Sequence, residues 1–399
     1  MVLSCVRVNA EDLKYGGHLK LTETGSRIGT YDPREKLAGR RVYTHDLDAR
    51  LKAENAGVRW GWQLHAEALG QFSDDLEAFR DRSHSSLEDR TQFFDLSSTV
   101  DDHPENRLDL RFDRAFFSFR TAVLVVQVGR QALSWGNGLA FQVLDLFSPF
   151  SPVEFDKDYK SGSDMLYLQY VLGRGASVEV LVVPRRDESS GDLESGESSF
   201  AAKLRAELAG FGFDFVAAEH YDSEVAGIGV SHDLAGGVLR SDLAFHHEAE
   251  KDRFNALLNY DRSFVGCGHN IYLFGEYFRN GYGSEPNSDL VAPLNQALTD
   301  RLLRGELFTV RQNYLALGIQ AELAARLNQY LTHIQSLDDG SAYVQVRTVV
   351  DLMQDLYLTA GFNIPAGSSG SEFGGYPVQG TTRLVEPSRS GFLKLAYYF

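Results

Sequence analysis

Short connections and long ones take turns along this chain, and that alternation constrains the fold more than any other feature. Segments of strand character run at 42–54 and 58–69, 107–119 and 122–135, 165–172 and 177–184, and 201–208 and 211–220. Further pairs follow at 225–234 and 238–247, 254–264 and 270–278, 314–323 and 326–336, and 343–352 and 356–364. Within most pairs the turn is tight and rich in glycine or asparagine, as at Asn55-Ala56-Gly57, Gly173-Arg174-Gly175 and Ala235-Gly236-Gly237. Elsewhere the chain runs long, through 22–41, 71–105, 136–164, 185–200, 280–308 and 365–391. With strands at 13–21 and 392–399 added, the count is about 18, with about 16 as the nearest alternative, and every tight turn falls on one rim. A β-sandwich or propeller does not keep that parity through so many hairpins, so the expected fold is all-β, one antiparallel sheet closed on itself.

Side-chain alternation says what surrounds the sheet. Val58, Trp60, Trp62, Leu64 and Ala66 share one face, with Arg59, Gly61, Gln63, His65 and Glu67 on the other. Thr44, Asp46, Asp48, Arg50, Lys52 and Glu54 oppose Leu47, Ala49, Leu51 and Ala53 in the same way. No helical layer is available to cover the apolar face, so lipid is its expected partner and the interior is polar. The chain has 26 Phe and 18 Tyr, and its mean hydropathy of −0.25 suits a transmembrane β-barrel, in which only alternate residues meet lipid. No run reaches the roughly 20 apolar residues of a spanning helix. The segment 314–337 has helical propensity, but the parity requires a hairpin there.

At the end of the chain, Leu393, Leu395, Tyr397 and Phe399 fall on one face and Lys394, Ala396 and Tyr398 on the other. This ending resembles the closing strand of bacterial outer-membrane β-barrels, whose terminal aromatic is read by the barrel-assembly machinery. The resemblance implies that Tyr397 and Phe399 act as an assembly signal. Residues 1–10 read as the tail of a signal peptide, with cleavage after Ala10, and 11–399 as a single barrel domain. Removal of that segment would take Cys5 with it and leave Cys267, which suits an oxidising periplasm.

The most distinctive patch is Gly129-Arg130-Gln131-Ala132-Leu133-Ser134-Trp135-Gly136-Asn137-Gly138, followed by a loop containing Phe141, Phe147, Pro149, Phe150 and Pro152. It resembles porin-like families that include phosphate-selective porins and alginate-export barrels. The loop is too apolar to be left in water, so it is expected to fold into the barrel mouth rather than pack on the rim. On that reading Arg130, Trp135, Phe147 and Phe150 form a narrow section. Asp145, Glu154, Asp156 and Asp158 would face wall residues such as Arg111, Arg130 and Arg205.

Inward-facing charges are mixed. They read either as a basic ladder for anionic or sugar-acid solutes or as cross-strand salt bridges filling the wall, and the alternation Arg107, Asp109, Arg111, Asp113 favours the bridges. Much of the net charge of −16 lies in the expected external loops, compatible with divalent ions bridging to lipopolysaccharide. No phosphate loop, zinc-spaced histidine pair or Gly-x-Ser-x-Gly elbow occurs, so neither an enzyme nor a cofactor or metal is expected, although His220 or His247 could join an acid at the rim. The expected function is passive diffusion of small hydrophilic solutes across an outer membrane, with lipid and lipopolysaccharide as surroundings. The alternatives are an export barrel for a secreted polysaccharide and a surface-exposed binding or adhesion barrel.

Overall fold

The computed structural model describes residues 13–29, 35, 39–76, 89–147, 149–152, 159–173, 175–286, 288–381 and 384–399. The expected signal segment lies outside them. Strands follow in the order β1 (Leu13–Arg27), β2 (Arg41–Ala56), β3 (Trp60–Ser73), β4 (Ser97–His103), β5 (Asn106–Arg120), β6 (Leu124–Gln131), β7 (Ser163–Gly173), β8 (Ala176–Val183), β9 (Ser199–Leu208) and β10 (Phe211–His220). Then come β11 (Ser223–Leu234), β12 (Gly237–His247), β13 (Arg253–Gly266), β14 (His269–Arg279), a helix α1 (Gln296–Leu303), β15 (Asn313–Ala324), β16 (Leu327–Ser336), β17 (Ala342–Met353) and β18 (Leu356–Ala366). The short pair β19 (Tyr376–Pro377) and β20 (Leu384–Val385) precedes the last strand, β21 (Arg389–Tyr398).

Nineteen strands share one sheet, and β4 pairs only with β5, so eighteen strands make the wall. Every strand pairing in this sheet is antiparallel, and β1 lies against both β2 and β21, which closes the sheet. Backbone bonds Gly17 N–H to Phe399 O (2.8 Å) and Phe399 N–H to Gly17 O (3.2 Å) carry the seam to the last residue. A side chain at Gly17 would run into the Phe399 ring, so glycine is required where the terminal aromatic docks.

The turns on the tight rim explain themselves. Ala209-Gly210, Ala235-Gly236 and Cys267-Gly268 each place two successive residues at positive φ, the two-residue geometry whose twist matches flanking strands. On the opposite rim not every connection is long. Tyr221-Asp222 is itself a two-residue turn with φ of 50° and 58°, and 248–252 and 337–341 are short as well. The segment 314–337 forms the β15–β16 hairpin, because pairing with β14 and β17 satisfies its backbone throughout and overrides a weak helical propensity.

Burial is inverted relative to a soluble protein. Tyr15, Leu51, Trp60, Phe117, Leu258 and Phe362 are exposed on the outer face, whereas Arg50, Glu67, Asp109, Asp113, Asp242 and Glu276 are buried inside. Such a surface is stable only against hydrocarbon, with the polar groups facing a lumen.

One wall position is shared by two distant segments, which the sequence did not announce. β6 pairs with β5 only over Ala115 to Arg120, and then the chain leaves the wall. Above that point β5 pairs instead with β4, a polar strand inside what reads as loop 71–105. Arg130 and Asp164 fill the junction. The Arg130 guanidinium donates to the Phe94 carbonyl (2.8 Å) while Asp164 accepts the Phe94 N–H (2.7 Å), so the two side chains stand in for a missing neighbouring strand.

Candidate functional site

From that junction residues 132–147 run into the lumen. Gly129, at φ 123°, starts the departure. The Trp135 indole donates to Glu179 on β8 (2.8 Å), and Asn137 donates to Asp242 on β12 through its backbone (2.7 Å) and its side-chain amide (2.6 Å). Glu276 on β14 then receives three consecutive backbone N–H groups, from Leu139 (2.7 Å), Ala140 (3.0 Å) and Phe141 (2.6 Å). Phe141 stacks on Phe278 at 4.6 Å, and Phe147 meets the edges of Trp135 (5.6 Å) and His220 (5.5 Å). The loop thus lies on the inner wall and takes its apolar side chains out of water, each worth roughly 1.5–3 kcal/mol when fully buried.

On its return the same loop reaches the other side. Tyr159 stacks on His18 of β1 (5.9 Å) and lies beneath the Arg50 guanidinium of β2 (4.5 Å), while Lys52 donates to its hydroxyl (2.5 Å). Arg114 donates to the Lys160 carbonyl, and Lys160 pairs with Asp145 within the loop. Counting around the wall from β14 through β15, β16, β17, β18, β21 and β1 to β2 gives seven steps, in a circle of eighteen. One loop therefore bridges nearly opposite walls.

The wall beside Tyr159 is charged and mostly self-neutralised. Arg50 pairs with Glu67 and Asp113 (2.7 Å each), Arg111 with Glu67 (2.6 Å), and Arg114 with Asp113 (2.7 Å). Lys52 has no carboxylate partner among the described residues, and the aromatic face of Tyr159 (4.8 Å) and its hydroxyl are what hold it.

No family model and no curated sequence matches the chain. Solved structures do. OccAB4 of Acinetobacter baumannii aligns with a TM-score of 0.54 at 10% identity, covering 97% of this chain and 98% of that one. A BenF-like porin from Pseudomonas fluorescens Pf-5 aligns with a TM-score of 0.56 at 10% identity, covering 98% and 99%. OccK3 (OpdO) of Pseudomonas aeruginosa gives 0.51 at 11%, covering 98% and 96%. The fold is that of an outer-membrane porin.

Within this barrel the residues expected to form the narrow section separate into groups. Trp135, Asp145, Phe147 and Phe150 lie along the inward loop, whereas Glu154, Asp156 and Asp158 lie outside the described residues. Arg111 stands on the wall near the loop's return, paired with Glu67. Arg130 is not aimed at a passage: it is buried and bonded to Asp164 (2.9 Å) and Asp89 (2.6 Å) at the wall junction. Arg205 is exposed near the tight-turn end of β9, in register with Asp214 and Ser177 and away from Asp145. Asp145 takes its cation from Lys160 instead.

Sequence reasoning missed Tyr159, His18 and Lys160. It did not single out Glu276 and Asp242 as anchors, though an acid amid the aromatic run Tyr272 to Phe278 was a usable signal. Tyr397 and Phe399 lie at the seam, where the terminal carbonyl meets Gly17.

A second set of segments packs against the wall of the lumen. Asn295 caps α1 by accepting the Leu298 N–H (2.9 Å), and Arg301 sits over the Tyr282 ring (4.1 Å) between Glu248 and Glu306 (2.7 Å each). Burial alone would raise the Glu306 carboxyl, but His220, Arg301 and Arg304 overcome it and hold it down at about 2. Ser199, His220 and Glu306 line up (2.8 and 3.3 Å), yet Ser199 and His220 are buried and Ser199 Oγ already accepts from Arg185 (2.6 Å). The array fastens the α1 segment to the wall. His247, by contrast, points outward to Asp252 (2.7 Å), so the adjacent pair His246-His247 divides between the two faces.

Proposed function

We propose that the protein is a passive channel of the bacterial outer membrane for small hydrophilic solutes, narrowed by residues 132–162 and favouring anionic ones. The observation that carries this reading is the loop tied at one end to Asp242 and Glu276 and at the other to His18, Arg50 and Lys52, six to nine steps away around the wall. An eighteen-stranded barrel leaves an aqueous lumen unless something crosses it. The crossing loop supports passage of small solutes over that of a polymer. Near Tyr159 the arginines are paired, so among the described residues Lys52 is the cation without a carboxylate, and it supplies the preference for anions.

Planar-bilayer recording on purified protein tests the reading. Replacing residues 138–147 by a short glycine-serine linker should raise single-channel conductance, and Lys52→Gln should shift the reversal potential toward cations. Unchanged conductance after the replacement would place the loop outside the conducting path, and an unchanged reversal potential would remove Lys52 from selectivity.

A further inference from the structure

Three arginines meet on one rung of the outer face. Arg27 ends β1, and in register it stands opposite Arg41, the first residue of β2, on one side and Arg389, the first residue of β21, on the other. Alternation along each strand sets them on the same face as Leu21, Tyr43 and Leu393, all of them exposed outward. Like charges directly opposite one another across strands repel and destabilise a sheet unless something of the other sign joins them.

Among the described residues nothing supplies that counter-charge. No ion pair joins any of the three to a carboxylate among the described residues, and the neighbouring acids are engaged elsewhere. Glu23, lower on the same face, pairs with His45; Glu35 pairs with Arg40 (3.8 Å); Asp74 accepts the Tyr43 backbone N–H (3.2 Å); and Glu386 lies beside Gly29, with no ion pair to the three among the described residues. In a chain with a net charge of −16, three adjacent arginines without an acid stand against the overall balance.

The rung below shapes a recess. It reads Phe362, Gly391, Gly25, Tyr43 across four strands, so two glycines make a floor between two exposed aromatics. The recess has a volume of about 360 Å³ and is lined by the three arginines together with Phe362 and Ile364. All three arginines stand at strand ends on the long-loop rim, where the apolar band gives way to headgroups on the external leaflet. Guanidinium groups bind phosphate in bidentate fashion, and arginine is less strongly hydrated than lysine at such a boundary.

We propose that this recess is a binding site for a phosphorylated lipid of the outer leaflet, of the lipopolysaccharide class. A headgroup phosphate bridges Arg27, Arg41 and Arg389, and an acyl chain lies over Gly25 and Gly391 between Tyr43 and Phe362. The site is independent of whatever passes through the lumen.

The test uses the full barrel, purified, delipidated and placed in nanodiscs, with bisphosphorylated lipid A as probe and native mass spectrometry or titration as readout. R27Q/R41Q/R389Q should weaken binding about tenfold or more, since it removes every charge-assisted contact to the phosphate. Lipid A stripped of its phosphates should bind the parent as weakly as the intact lipid binds the variant. Gly25→Leu keeps the charges, and its Cβ makes only ordinary contact with Tyr43, so the variant should fold and weaken lipid binding by filling the recess. Heat-modifiable migration on gels reports that each variant is a folded barrel, and Arg41→Gln alone serves if the triple variant fails to assemble. Unchanged affinity in the folded arginine variants, or equal binding of the phosphate-free lipid, would overturn the proposal. Full displacement of the lipid by millimolar inorganic phosphate, with no effect of Gly25→Leu, would replace it with a free-anion site.

Discussion

Glu276→Gln isolates the anchorage of the inward loop. One carboxylate oxygen receives the Ala140 and Phe141 N–H groups (3.0 and 2.6 Å), and the other receives Leu139 N–H (2.7 Å) and the Asn259 amide (3.0 Å). Glutamine has the same shape but one acceptor oxygen, so two of these four bonds are lost and an amide donor faces donors. Hydrogen bonds to a charged group are worth roughly 1.5–3 kcal/mol each, which sets the loss at roughly 3–6 kcal/mol. The Asn137–Asp242 pair and the buried Phe141 ring remain, so the loop stays docked but opens more often. A loss of about 3 kcal/mol corresponds to an opening equilibrium about a hundredfold larger. Cysteine at position 140, where alanine is only 3% exposed, reports opening through its rate of reaction with a water-soluble maleimide once Cys267 is replaced by serine. The rate should rise by about that factor, and open-channel current should become noisier. A rate no faster than the parent's would show that Glu276 does not hold the loop.

Arg130→Ala should lower barrel stability by about 3–5 kcal/mol, because it strands Asp164 and Asp89 in a buried junction, while leaving ion selectivity unchanged; a shifted reversal potential would contradict the assignment. Burial raises the Glu372 carboxyl, in the loop between β18 and β21, from 4.5 to about 7. A raised folded value means that docking is strongest with the group protonated and weakens as pH climbs between those limits, by about 3 kcal/mol in all. Limited proteolysis of residues 367–388 should therefore quicken over that range in the parent and not in Glu372→Gln; identical pH profiles would refute this. Deleting Phe399 removes both bonds to Gly17 and should reduce heat-modifiable barrel in the membrane, and undiminished assembly would show the terminal residue to be incidental. Cysteine at Asp192 should label on intact cells and cysteine at Gly236 should not; labelling at Gly236 alone would invert the topology, and labelling of both would refute the assigned sidedness.

The wall was readable because two local rules agree along nearly all of it: side chains alternate by two, and short turns place glycine or a small residue where φ is positive. β4 escaped because Ser97-Ser98-Thr99-Val100-Asp101-Asp102-His103 has the composition of a loop and becomes a strand only beside β5. Arg130 was misassigned for a related reason. Its partners Asp89 and Asp164 lie 41 and 34 residues away in sequence, and nothing local reveals that β6 quits the wall early. The direction of the aromatic loop followed from the cost of hydrating phenylalanine. Its landing points did not, since Tyr159 meets His18 and Arg50 only once the sheet has closed.

The shared wall position has a consequence for how such a channel can change. Because β4 and the Arg130–Asp164 pair complete the ladder above β6, the continuity of the cylinder does not depend on what residues 132–162 do. The inward segment is spliced in at a joint that is already sealed, so its length and chemistry can be rewritten without opening the cylinder to lipid. A new solute filter could arise there by exchange of one insert, with the staves left as they are.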